Sequence, residues 1–104
     1  MISIIQKYPK DFRNDFAGWL AANQPIYAEF ERQARLIASR RDHYSARTIA
    51  EVIRHNSQLS EVGGDWKINN NRIPDMARLF SLRNPQHSHL FQLRNSDMRL
   101  GMAA

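Results

Sequence analysis

HYSARTIAEVIRHN at residues 43–56 and GGDWKINNNRIPDMARLF at residues 63–80 decide how this chain is read. In the first stretch Ser45 is placed to accept hydrogen bonds from backbone N–H groups at the start of a helix. Ile49, Val52 and Ile53 then recur at helical spacing. These residues predict a helix from Ala46 to about Asn56, with Arg47, Glu51, Arg54 and His55 on the opposite face. Gly63-Gly64 breaks the pattern where backbone freedom is greatest, and Trp66-Lys67-Ile68 alternates like a short strand with Trp66 and Ile68 facing in. Asn69, Asn70 and Asn71 are three adjacent short amides, which favour caps and left-handed turns over helix or strand. Ile73, Met76, Ala77 and Phe80 restore the helical period, so a further helix is expected from near Arg72 to near Leu82, stopped by Asn84-Pro85. Leu90 to Arg94 reads as a second strand, pairing with residues 66–69.

Working outward toward the N-terminus, Asp11 is positioned as the N-cap of a helix whose apolar stripe is Phe12, Phe16, Trp19 and Leu20. That stripe is read as core, with a homodimer seam as the alternative. Asn23-Gln24-Pro25 marks a tight corner, because proline is tolerated in the first turn of a helix. The next helix is expected from Pro25 to Arg41, with Ile26, Phe30, Ala34 and Ile37 inward. Glu29 with Arg32 and Glu31 with Arg35 stand at pairing distance along it, and Arg40-Arg41 place cations at the negative end of its dipole. The predicted fold is mainly α with a small two-stranded β element. A helical N-terminal pair (residues 11–41) precedes a winged-helix-like or helix-turn-helix-like module (residues 43–94), all within one domain over 1–95, and residues 96–104 form a loose tail. About sixteen residues separate the two helices of that module, against the 3 to 4 of a simple helix-turn-helix. The likeness is therefore one of element order.

Composition narrows the function classes. At 104 residues, 42% of them hydrophobic, the chain can build one core but not two ordinary domains. Without cysteine it has neither disulfides nor thiolate metal sites. No apolar run approaches the roughly 20 residues that span a bilayer, and Met1-Ile2-Ser3-Ile4-Ile5 gives way at once to Lys7, Pro9 and Lys10, unlike a signal peptide. A cytoplasmic protein with no membrane partner is expected. Fifteen basic residues face ten acidic ones, and the excess lies beyond residue 31. Most of the cations are arginine, whose planar fork suits phosphate, carboxylate or guanine.

Two local resemblances to known chemistry stand out among the candidates. Asn69, Asn70, Asn71 and Arg72 would sit beside free N–H groups at a helix start, where phosphate or a base edge is received, with Lys67 and Arg78 flanking; the bland alternative is that the asparagines only cap the helix. Arg47 and Arg54, seven apart, form a basic stripe with Glu51 between them, either a phosphate clamp or a solvated ion-pair ladder. Tyr44 and Trp66 are the aromatics best placed for stacking on bases, and both border the core. His87-Ser88-His89 lacks a neighbouring carboxylate, so no metal is expected. No paired carboxylates with a lysine, nucleophile elbow or phosphate loop accompanies the histidines and acids; neither an enzyme nor a cofactor is expected.

The combination of Trp19 to Asn23, the YSARTI-E-IR segment at 44–54, Gly63-Gly64-Asp65-Trp66, the KINNN segment at 67–71 and Ala77-Arg78-Leu79-Phe80 resembles a family of small uncharacterised proteins encoded in bacteriophages, prophages and bacterial genomes. The resemblance covers roughly residues 16–94. It implies a phage or mobile-element context in the cytoplasm of a bacterial host, and it carries over no catalytic residue. The functional expectation is a DNA-binding protein, with double-stranded DNA held by Arg47, Arg54, Lys67, Arg72 and Arg78 and with Asn69, Asn70 and Asn71 at the groove. The alternative is a small basic inhibitor or adaptor that applies the same face to an acidic or nucleic-acid-binding surface of a host protein.

Overall fold

Ile2–Lys7, Phe16–Ala22, Gln24–Ala38, Ala46–Asn56 and Arg72–Arg83 form five α-helices, α1 to α5 in chain order, in the computed structural model, which describes residues 2–56 and 72–91. Two single 3-10 turns, Pro9–Asp11 and Pro85–His87, complete the described backbone. Both open on a proline, whose fixed φ suits the first position of a turn.

The α2–α3 corner is closed by Asn23. Its backbone N–H donates to the carbonyls of Trp19 and Leu20 and its side-chain amide to Trp19, while its own carbonyl accepts from Ile26 and Tyr27. One buried residue thus terminates one helix and starts the next. α4 begins as its sequence suggests, with the Thr48 N–H donating to Ser45 Oγ at 3.3 Å. Its buried face is Ile49, Ala50 and Ile53, whereas Val52, expected inside, is exposed. The helix is rotated so that Ala50 rather than Val52 is buried where α4 packs on α3 and α5.

Three expectations are corrected. Asp11 does not cap a helix: it ends the first 3-10 turn, Phe12 is extended, and α2 starts only at Phe16, after Asp15. Phe12 still joins the apolar stripe, stacking on Phe16 at 5.6 Å. α3 stops at Ala38 rather than Arg41, because Ser39 Oγ donates back to the Leu36 carbonyl and the N–H groups of Arg40 and Arg41 both turn onto Ile37. Leu90 and Phe91 lie in a bend that follows the second 3-10 turn, not in a strand. Both are buried, and the Phe91 ring sits 5.6 Å from Phe30 and 5.4 Å from Phe80, so aromatic packing takes the place of a ladder. Among the described residues the architecture is all-helical. The expected strand around Trp66, the rest of the 90–94 segment and the tail over 96–104 lie outside them.

One hydrophobic cluster draws on every helix but the short α1 through large, fully buried side chains (Phe16, Leu20, Tyr27, Phe30, Ile49, Ile53, Met76, Leu79 and Phe80), and Ile5 of α1 completes it. No helix among the described residues is long and apolar enough to cross a membrane.

Polar groups are buried in two places. Glu31 of α3 lies against the end of α5, where Arg83 grips it with both Nε (2.8 Å) and Nη2 (3.1 Å) and Asn84 donates at 3.1 Å. Tyr27 adds its hydroxyl at 3.2 Å, and Arg35, 3.6 Å from the same carboxylate, also holds Asn84. Burial alone would push the Glu31 carboxyl up, but the hydrogen bonds from Arg83 and Asn84 and the charges of Arg83 and Arg35 outweigh it and hold the group below its ordinary range. Burial, reinforced by the Glu31 charge, pushes the Tyr27 hydroxyl well up.

Asp75 in the first turn of α5 is wholly buried and ion-pairs with Arg78 at 2.7 Å. Here burial prevails over the charge of Arg78 and a hydrogen bond from the Arg13 backbone, and the carboxyl is raised. A raised acid binds its proton more tightly in the folded chain, so the fold loses stability as pH rises through that group's range. Wild type should therefore lose ground to Asp75→Asn as pH rises above the ordinary aspartate value near about 3.9, read as the difference in urea midpoints.

Candidate nucleic-acid interface

Of the cations singled out in the sequence, those on α5 are held within the protein. Arg72 makes two hydrogen bonds to Asp15, at 2.8 and 3.0 Å, and its guanidinium lies 5.7 Å over the Trp19 ring. This pins the start of α5 to α2, and the hydrogen bonds from Arg72 hold the Asp15 carboxyl below its usual range. Arg78 is buried against Asp75. On α4, Glu51 engages both Arg54, at 3.3 Å, and His55, at 3.5 Å. Arg32 and Arg35 on α3 pair with Glu29 and Glu31, as their spacing suggests. Lys67, Asn69, Asn70 and Asn71 lie outside the described residues.

What remains of the expected stripe is Arg47, exposed in the first turn of α4. It stands at one end of a run, residues 39–48, in which every side chain except Tyr44 and Ala46 is exposed. Arg40 and Arg41 stand at the other end. None of the three arginines has a carboxylate partner among the described residues; Arg41 instead lies 5.7 Å over the Tyr44 ring. Asp42 is the acidic member of the run. Arg47 follows Arg41 by six positions, a reach of no more than about 20 Å, which a few nucleotides cover.

The run is fastened to the segment that follows α5 and the second 3-10 turn. The Tyr44 N–H donates to the Leu90 carbonyl at 2.8 Å, and His43 Nδ1 lies 3.1 Å from the carbonyl of His89. A carbonyl oxygen only accepts, so Nδ1 carries the proton and the His43 ring is oriented by the backbone of the neighbouring segment. His89 is exposed beside it, and His87 stacks on Phe80 at 6.4 Å. Two separate stretches of sequence therefore form one rim, with Arg40, Arg41 and Arg47 as its cations and His43, Tyr44 and His89 as its rings.

No protein-family description, no curated protein and no solved structure matches the chain. The rim's own chemistry is the guide to function. Three guanidinium groups on an exposed run attract phosphates or carboxylates, and the rings beside them offer flat apolar faces. Among the described residues no three His, Asp or Glu side chains gather into a set able to hold a metal ion.

Sequence reasoning passed over most of this rim. Arg40 and Arg41 have a sufficient structural explanation as helix-closing cations, and the histidines lie 46 residues apart in the chain. The signal that was present is the run of polar and charged residues around His43, with no acid but Asp42 to neutralise it.

Proposed function

We propose that this chain is a phage or mobile-element DNA-binding protein that holds the phosphate backbone on the rim of Arg40, Arg41 and Arg47, and that it acts by binding rather than catalysis. The observation that carries the reading is the contrast in charge pairing. Arg32, Arg35, Arg54, Arg72, Arg78 and Arg83 are each engaged by a carboxylate, while among the described residues the three arginines of the exposed run have none. Cations left exposed beside one another repel, and a polyanion relieves that repulsion while releasing counterions. The likeness to small phage and prophage proteins supports the context. A winged-helix-like module would add Lys67 and Asn69 to Asn71 to the contact; the rim stands without them.

The test is affinity for a DNA oligonucleotide as a function of salt. Arg40→Ala, Arg41→Ala and Arg47→Ala combined should weaken binding at least about tenfold and flatten the log–log salt slope by about 2. Arg72→Ala should leave affinity within about twofold and lower Tm by a few degrees, since its fork is spent on Asp15. Binding that is undetectable in low salt, or equally strong in the triple variant, would overturn the proposal. The same guanidinium groups fit a carboxylate-rich surface on a host protein. Capture of a host protein that survives nuclease treatment and is lost in the triple variant would favour that inhibitor reading instead.

A further inference from the structure

Resting on the DNA-binding reading, we infer that the rim selects single-stranded over double-stranded nucleic acid, with bases stacked on His43, His89 and the Arg41–Tyr44 pair while the three arginines follow the phosphates. Duplex recognition generally lays a helix or a strand pair along a groove and needs a row of cations on its outer face. No described helix supplies such a row. The exposed side of α4 runs Arg47, Thr48, Glu51, Val52, His55, which puts a carboxylate in its middle, and that carboxylate already holds Arg54 and His55. On α5, Arg72, Arg78 and Arg83 point into ion pairs with Asp15, Asp75 and Glu31.

Of the three rim cations, Arg40 and Arg41 lie on irregular chain and Arg47 in the first turn of α4, with planar side chains between them. His43 follows Arg41 by two residues, Tyr44 lies under the Arg41 guanidinium, and the His89 backbone is brought against His43, with the exposed His89 ring 6.5 Å from that of His87. Alternation of phosphate-binding cations with rings is the arrangement that holds a strand whose bases are free to turn outward; in a duplex those bases are already stacked on one another and closed to the rim. The His43 ring is set in place by its bond to the His89 carbonyl, so ordering it costs the complex little. The Arg41 guanidinium, seated on Tyr44, presents a flat cationic face of the kind that stacks on a base.

The probes are oligothymidylate, oligouridylate and a mixed-sequence duplex of equal length, each titrated by fluorescence anisotropy against the full chain at one ionic strength. Wild type should bind one or both single strands about tenfold more tightly than the duplex, and the two single-strand arms show whether deoxyribose or ribose is preferred. His43→Ala with His89→Ala should erase most of that preference, bringing single-strand and duplex affinities to within about twofold of each other. His89→Ala alone keeps the backbone carbonyl that orients His43 and so serves where the double variant is unfolded by circular dichroism; it should lower the preference about twofold or more. Duplex binding as tight as single-strand binding, with normal salt dependence, would overturn this inference and leave the DNA-binding reading standing. Failure of all three probes to bind in low salt would remove both. A preference unchanged in His89→Ala and in the folded double variant would also overturn it.

Discussion

Glu31→Ala is expected to lower the stability of the chain by about 2–4 kcal/mol, a fall in Tm of more than about 10 °C for a domain of this size. The carboxylate accepts from Arg83, Asn84 and Tyr27 and lies near Arg35, so its removal leaves a partly buried guanidinium, a buried amide and a buried phenol without their partner. The figure is set below that of a fully enclosed pair because 29% of the Arg83 side chain still reaches water. Glu31→Gln keeps the volume and tests the charge. The Glu31 carboxyl is held low in the folded chain, so its contribution is complete above the unfolded value near 4.3 and disappears as pH falls through the folded one. The gap between wild type and Glu31→Gln should accordingly be wide at pH 7 and close as the solution is acidified. A gap that is constant with pH would show that Glu31 acts through packing alone.

Phe80→Ala should cost about 3–5 kcal/mol, in the range of other fully buried aromatic truncations. Its ring touches Phe91 edge-on and His87 face-on, so the loss is not only a cavity: it removes the surface on which the 85–91 segment is seated. The variant should lose the single-strand preference more completely than overall stability would suggest, because His43 takes its orientation from that segment. Chemical denaturation and the oligonucleotide titration, run on the same sample at a temperature where the variant is still folded, measure the two effects together. An intact preference in folded Phe80→Ala would separate the rim from the α5 turn.

How much of this was legible depended on whether the decisive contact was local. The bounds of α4, the Asn23 corner, the Glu29–Arg32 and Glu31–Arg35 pairs and the stop at Asn84-Pro85 follow from residues within a few positions of one another, and the structure has all of them. Glu31 as a buried hub was not legible, since a glutamate four before an arginine reads as a solvent-facing pair until Arg83 and Asn84 arrive from α5. The site divided in the same way. Arg47 is exposed, as its place opposite the apolar stripe suggests, but Arg72 and Arg78 are occupied by Asp15 and by a buried Asp75. The rim itself depends on two segments meeting, and nothing in either segment alone foretells the other.

That meeting also fixes when the rim exists. His43 is held by a carbonyl 46 residues further along the chain, and Tyr44 by the one after it. Closing so large a loop is unfavourable until α5 has packed and Phe91 has found Phe30 and Phe80. During synthesis the three arginines leave the ribosome early, but the ring that orders the rim is seated only after residue 91 has followed. A growing chain therefore carries the charge of the proposed binding surface well before it has the shape, and the proposed discrimination between strands must wait for that shape.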